Sequence, residues 1–217
     1  MTPSAMIFAA GFGTRMGALT QDTPKPMLKV AGRTLVDRAV AHLKGAGLTR
    51  LVANTHYLPD QIQPHLKSLG VTVCFEETIL ETGGGLRAAL PALGSSPVVT
   101  MNPDVVWAGG NPVETLLAEW RDDMQALLML VPSPEGKGDD DFQCVDGQIS
   151  RSGPYRYTGL QLIRTDRLGE ITDDAFSLNA YWDLLANDAP LNGCVFSGDW
   201  CDVGTPDGLQ AAERMLV

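Results

Sequence analysis

Residues 9–29 read Ala9-Ala10-Gly11-Phe12-Gly13-Thr14-Arg15-Met16-Gly17-Ala18-Leu19-Thr20-Gln21-Asp22-Thr23-Pro24-Lys25-Pro26-Met27-Leu28-Lys29, and this stretch decides how the chain is to be read. An apolar run, Ala5 to Ala10, leads into it and reads as a buried strand. Gly11 and Gly13 then open a tight turn whose backbone N–H groups can approach an anion with no Cβ in the way. Arg15 adds a forked, permanently charged donor that matches phosphate oxygens. Lys25 stands between Pro24 and Pro26, which restrict the backbone on both sides and aim the ammonium. Two glycines after a strand are the default composition of any tight turn. The weight rests on the whole string, which reads as a cradle for a polyphosphate. It is not the dinucleotide fingerprint, because Met16 stands where the third glycine belongs, and no Gly-Lys-Ser/Thr follows as in an ATPase P-loop.

The chain has 217 residues, enough for one sizeable domain with a large core. Its 44% hydrophobic and 19% charged content are those of an ordinary globular protein. No apolar run is long enough to span a membrane, and the N-terminus lacks a basic region followed by an apolar stretch. A cytoplasmic protein without a membrane partner is expected. Cys74, Cys144, Cys194 and Cys201 are scattered with no Cys-x-x-Cys pair, so reduced thiols are expected rather than disulfide staples. The only histidines are His42, His56 and His65, which disfavours a histidine metal centre. The net charge of −10 argues against a nucleic-acid partner. It leaves room for a small anionic substrate that meets local Arg and Lys donors.

Beyond the loop, strand and helix patterns alternate through the first two-thirds. Leu35 to Ala46 carries Leu35, Val36, Ala39, Val40 and Leu43 on one helical face. Leu51 to Asn54 reads as a strand, Pro59 as a helix start, Val71 to Glu76 as a strand and Leu86 to Leu93 as a helix. Pro97 to Met101 is a strand, Val113 to Trp120 a helix and Ala126 to Val131 a strand. Such alternation with short links predicts an α/β fold with a mostly parallel sheet covered on both faces, with ligands at the carboxyl ends of the strands. Pro132 to Asp141 then reads as an exposed loop, and Phe142 to Arg151 as a hairpin turning at Asp146-Gly147. Tyr157 to Ile163 is a further strand. Ser177 caps a helix running to about Ala186, and Thr205 caps and Pro206 starts a last helix that ends near Leu216. With no repeat and no linker, residues 1–217 form a single domain with a small β-rich insertion.

Four further segments carry chemistry. Glu81-Thr82-Gly83-Gly84-Gly85 precedes a helix, and three glycines let a backbone lie flat against a planar group, though any flexible turn also uses them. Asn102-Pro103-Asp104 ends a strand with a carboxylate placed for Mg²⁺, although its composition also suits a plain turn. Trp200-Cys201-Asp202-Val203-Gly204-Thr205-Pro206 reads as a strand end and helix cap, which leaves Asp202 unexplained. Tyr157-Thr158-Gly159 places a glycine in a strand, a mark of close backbone approach. His56 reads as a loop residue with a structural hydrogen bond, and Asp139-Asp140-Asp141 as solvated surface.

The first string resembles the signature of the sugar-1-phosphate nucleotidyltransferases, Gly-x-Gly-Thr-Arg-Met-x-Pro-Leu-Thr-x-x-x-Pro-Lys-Pro. The chain departs at Gly17-Ala18, where the proline is missing and a looser turn is expected, and at Pro103, where the family has glycine. The other segments follow in the family's order, and Glu81 to Gly85 is similar to the branch that joins N-acetylmuramate 1-phosphate to UTP. The resemblance implies a Rossmann-like three-layer fold and an enzyme that passes a nucleoside monophosphate from an NTP to a sugar 1-phosphate. It implies catalytic roles for Arg15 and Lys25, and nucleotide contacts from Ala10, Gly11, Gly13, Thr14, Arg15, Glu81, Gly83 and Gly84. Asn102, Tyr157, Gly159 and Trp200 would meet the sugar, and Asp104 and Asp202 would hold Mg²⁺. A monomer or small homo-oligomer is expected. Mannose or glucose 1-phosphate, or phosphocholine, are the alternative acceptors. A non-catalytic nucleotide-sugar sensor is disfavoured by retention of both carboxylates, and a nicotinamide-binding domain by the loop spacing and Lys25.

Overall fold

The computed structural model describes residues 2–94, 96–133 and 140–216. Its organising element is β1 (Ser4–Phe8), a strand buried on both faces and therefore continuously apolar. After the loop come two two-residue strands, β2 (Lys29–Val30) and β3 (Arg33–Thr34), then α1 (Leu35–Gly45), capped by the Thr34 hydroxyl. β4 (Leu51–Thr55), α2 (Pro59–Ser68), β5 (Thr72–Phe75), α3 (Glu81–Leu93) and β6 (Val98–Met101) follow. Then come β7 (Val105–Ala108), α4 (Pro112–Glu119), β8 (Ala126–Pro132), β9 (Asp140–Val145), β10 (Gln148–Gly153) and β11 (Tyr155–Ile163). The chain ends with α5 (Leu178–Ala186), β12 (Leu191–Val195), β13 (Asp199–Asp202) and α6 (Pro206–Met215).

Nine strands form one sheet in the order β5-β4-β1-β6-β11-β8-β12-β10-β9. The first four run parallel, as the βαβ alternation predicts, whereas β11 is antiparallel to both β6 and β8. Alternation along β1 divides the core. Ala5 and Ile7 face α1, α2 and α4, while Met6 faces α3 and α5, which gives three layers. The chain leaves β1 for β4 on one side and later returns to β6 on the other. The crevice beyond the ends of β1 and β6 is thus the topological switch point. A buried chain of hydrogen bonds crosses the sheet: Trp182 Nε1 donates to Gln161 Oε1 (2.8 Å), and Gln161 Nε2 to Thr100 Oγ1 (3.1 Å). No helix among the described residues is long and apolar enough to cross a membrane.

Several boundaries differ from the sequence reading. Most of the loop expected from Pro132 to Asp141 lies outside the described residues, and Asp140 already belongs to β9. The β9–β10 hairpin turns at Asp146 (φ 50°) and Gly147 (φ 77°), as expected, but it extends the main sheet as its far edge. β2, β3, β7 and β12 were not anticipated, and β13 only as a strand end before Asp202; each is short and lacks a periodic pattern of its own. Most consequential, α3 begins at Glu81, so the glycine run lies inside its first turns rather than ahead of it.

That run has a packing cause. A Cβ on Gly83 would stand 2.3 Å from the Phe176 ring, one on Gly84 2.4 Å from the Asp174 carbonyl oxygen, and one on Gly85 2.7 Å from the Glu76 carboxylate. The N–H groups of Gly83 and Gly84 both donate to the Phe176 carbonyl (2.8 and 3.1 Å), which satisfies a helix start that has no side-chain cap. Gly84→Ala gains about 1 kcal/mol of helix propensity but forces a methyl against an immobile carbonyl, an overpacking cost of about 1–3 kcal/mol. The variant should therefore unfold at lower denaturant concentration than the unmodified protein; an unchanged or higher midpoint would show that the 173–176 segment yields.

Candidate active site

The loop after β1 is held by its neighbours. The Ala9 N–H donates to Asn54 Oδ1 (2.9 Å), which fixes the exit of the strand. Gly13 has φ 66°, and a Cβ there would meet Lys25 Cβ at 2.9 Å, so glycine is required twice over. Gly11 has open space where a Cβ would stand, and it lines the cavity. The turn from Thr14 to Thr20 is not loose. The Thr20 hydroxyl donates to the Gly13 carbonyl (3.0 Å), and the Tyr57 hydroxyl to the Thr20 and Gln21 carbonyls (2.9 and 2.8 Å). Gly17 absorbs the kink with φ 59° and ψ −127°, so the missing proline is compensated.

Lys25, only 9% exposed, places its ammonium 2.5 Å from Asp104 Oδ2. Asp104 follows β6, and the backbone around it is tied down on both sides. Asn102 N–H donates to the Gly159 carbonyl (2.9 Å), and Val203 N–H to the Asp104 carbonyl (2.8 Å). The antiparallel pairing of β7 with β13 sets Val105 opposite Asp202. Two acids nearly a hundred residues apart thereby share one spot. Burial, followed by repulsion from Asp104, pushes the Asp202 carboxyl above the ordinary aspartate range; Lys25, Arg15 and Arg156 pull the other way. Three cations thus face two carboxylates in a strongly acidic protein, an environment suited to phosphates and a dication.

Arg15, Lys25 and Asp104 border a cavity of about 310 Å³ lined by Ala10, Gly11, Gly13, Thr14, Arg15 and Lys25 from the loop, whereas Asp202 and Arg156 line neither this cavity nor its neighbour. Its other walls include Asn54, Glu76, Ile79, Glu81, Thr82, Asn102 and Asp104, with Gly204 in front of Asp202. A second lobe of about 220 Å³ shares Phe8, Thr82 and Asn102 with the first, so the two are one cleft. Tyr157, Phe142, Trp182 and Arg151 line this second lobe. Tyr157 packs edge-on against Trp182 at 5.0 Å, and burial pushes its phenol well above the usual range.

Some expected site residues stand elsewhere. Gly83 and Gly84 line neither lobe and have spent their N–H groups on Phe176, so they cannot offer those donors to a base. Gly159 (φ 83°) makes room for the Asn102 side chain, 2.7 Å from where its Cβ would be, rather than for a ligand. Trp200 pairs across the β7–β13 ladder with Trp107, packs on the core beneath Arg156 and lines neither lobe. The aspartate run is not simply solvated: Asp140 pairs with Arg156 (2.7 Å), and Asp141 accepts the Tyr157 N–H (2.9 Å), while Asp139 lies outside the described residues. His56 behaves as expected, its Nδ1 donating to the Glu76 carbonyl (2.8 Å). Sequence reasoning missed Asn54, Glu76, Arg151 and Arg156. The first two sit in segments already noticed, but Arg151 and Arg156 carry no motif and are found only by tertiary placement.

Residues 5–148 match the MobA-like NTP transferase domain. An N-acetylmuramate alpha-1-phosphate uridylyltransferase from Caulobacter vibrioides is 34% identical, over 98% of this chain and 96% of its own. One from Neisseria meningitidis serogroup B is 32% identical over 97% of each. Among solved structures, a UDP-glucose pyrophosphorylase superposes with a TM-score of 0.84 at 14% identity, covering 100% of this chain and 98% of that one. An inositol-1-phosphate CTP transferase from T. maritima superposes with 0.81 at 18% identity, covering 99% and 95%. These are similarities of fold, and they agree with the Rossmann-like three-layer architecture described above. The chain belongs to the MobA-like NTP transferase family, and it is a nucleotidyltransferase.

Proposed function

We propose that the chain transfers UMP from UTP to N-acetylmuramate α-1-phosphate, forming a UDP-sugar and pyrophosphate. The observation that carries the reaction is the set of charges beside the first lobe, where Arg15, Lys25 and Asp104 line the wall and Asp202 feels Asp104, Lys25, Arg15 and Arg156. The choice of sugar and base rests on the two uridylyltransferase relatives. An oxygen of the sugar phosphate attacks the α-phosphorus of the nucleotide, and the bond from that phosphorus to the pyrophosphate oxygen breaks. The attacking phosphate is already anionic at neutral pH, so no general base is needed. Catalysis reduces to in-line placement and charge neutralisation. Arg15 holds the departing pyrophosphate, and Lys25 holds the α-phosphate or the incoming one. For Lys25 to do so, its ammonium swings from Asp104 onto phosphate, which frees that carboxylate.

The carboxylates fit Mg²⁺. They are hard oxygen donors that repel each other, and a site of two carboxylates leaves its other coordination positions to phosphate oxygens and water. When bound, the ion neutralises and orients phosphate oxygens. On the nucleotide side, Glu81 and Thr82 border the lobe at the start of α3 and take over the base contacts first assigned to the glycines. Glu81 holds φ 59°, a left-handed conformation uncommon for a residue with a side chain. Asn102 bridges the lobes, and Tyr157 contacts the sugar. UTP as co-substrate places the work in the cytoplasm, and both lobes come from one chain, so a monomer suffices.

Pyrophosphate release should be fastest with UTP and N-acetylmuramate 1-phosphate in a panel of nucleotides and sugar phosphates; a clear preference for GTP or ATP would overturn the base assignment. Arg15→Ala and Lys25→Ala should each lower kcat by about a hundredfold or more while remaining folded, the scale of losing one preorganised donor. Near-full turnover in either variant removes that residue from the chemistry. Asp202 has its carboxyl raised on folding, so the native state holds its proton more tightly than the unfolded chain and loses stability as pH rises through the carboxylate range. Asp202→Asn should therefore melt higher than the unmodified protein at pH 7 in chelator, and should lose Mg²⁺-stimulated activity. A lower melting temperature would show that the cations around Asp202 outweigh its burial.

A further inference from the structure

We propose that Arg151 reads a carboxylate carried by the sugar, so that the second lobe selects a sugar 1-phosphate with an acidic substituent over its neutral counterpart. The proposal rests on the transferase reading above and deepens it by assigning the specificity of that site. A ligand that spans the shared wall of Phe8, Thr82 and Asn102 has its phosphate near Asp104 and its ring among the aromatics of the second lobe. Arg151 is the one basic residue among the described residues lining that lobe.

Its guanidinium is held in place. Nη1 donates to Asn179 Oδ1 (2.8 Å) and Nη2 to Asp183 Oδ1 (3.0 Å). The same group stacks over Phe142 at 5.1 Å and Trp182 at 5.5 Å. Trp182 is itself locked by its bond to Gln161 (2.8 Å). Those two bonds use two of an arginine's five donors, so Nε–H and a further N–H on each terminal nitrogen remain for a ligand. As a mere tie between β10 and α5 the arrangement gains little, because the Asp183 carboxylate is 70% exposed and a solvated ion pair is weak. What the stack and the two bonds achieve is to immobilise a fork that matches a carboxylate. The other charged group of the lobe is Asp141, whose Oδ2 accepts the Tyr157 N–H (2.9 Å). Its negative charge disfavours an acid at the β11 side and directs one toward Arg151. N-acetylmuramate carries such an acid on a lactyl ether; N-acetylglucosamine has the same ring with a hydroxyl there.

The test uses the full chain with UTP and Mg²⁺ and compares N-acetylmuramate 1-phosphate with N-acetylglucosamine 1-phosphate, the second read as turnover or as an inhibition constant. Arg151→Gln should lower kcat/KM for the acidic sugar by about 10- to 100-fold, mostly through KM, as expected for loss of a charge-assisted bidentate contact. The neutral sugar should change by less than about twofold, and its retention shows that the variant is folded. Arg151→Lys should fall between, because it keeps the charge and loses the fork. Equal losses for both sugars, or no loss for either, would overturn the assignment while leaving the transferase reading in place. An unmodified enzyme that neither turns over nor binds either sugar phosphate would overturn both.

Discussion

The site depends on a backbone constraint, the short antiparallel ladder between Val105–Ala108 and Asp199–Asp202. The ladder brings Asp202 beside Asp104, and the Val203 bond to the Asp104 carbonyl closes the last gap. Two carboxylates would not choose this proximity in water. It persists because the hydrogen bonds of the ladder, the packing of Val106 and Val203 beneath it and the Lys25 ammonium together outweigh the repulsion. Local destabilisation of this kind marks a site whose charge balance the chain alone leaves unfinished.

Much of this was legible in the sequence, and the boundary between legible and illegible is physical. The turn from Gly11 to Lys25 could be read because its shape is set by residues close in sequence, where glycine and proline act on their own backbone. Asp104 and Asp202 could be nominated because each sits where a strand ends. The glycines of α3 were visible, but not their purpose: Phe176 and Asp174, some ninety residues away, decide why no side chain fits there. Trp200 looked like a ligand platform and is instead core, because its strand partner is invisible to local pattern. Arg151 and Arg156 had no signal, for one arginine among exposed residues becomes distinctive only when aromatic rings and acids assemble around it.

The two halves of the sheet divide the labour. The parallel half, β5-β4-β1-β6, directs its carboxyl ends at one crevice and builds the phosphate and nucleotide side. The antiparallel strands β9, β10 and β11, with α5, supply the walls of the second lobe. Asn102 stands at the seam, its backbone bonded to Gly159 and its side chain against that residue's Cα, so a shift of β11 against β6 is felt in both lobes.

The placement of β11 also bears on how far the chain can be divided. The family match ends at residue 148, before β11 begins, yet β11 lies in the middle of the sheet, between β6 and β8. A fragment cut at that point would part β6 from β8, lay bare the backbone of two central strands and remove the carbonyl of Phe176 that caps α3. The matched segment is thus a unit of descent but not a unit of folding. A graft or fusion that keeps this catalytic cradle must carry the chain through at least β13, where Asp202 resides.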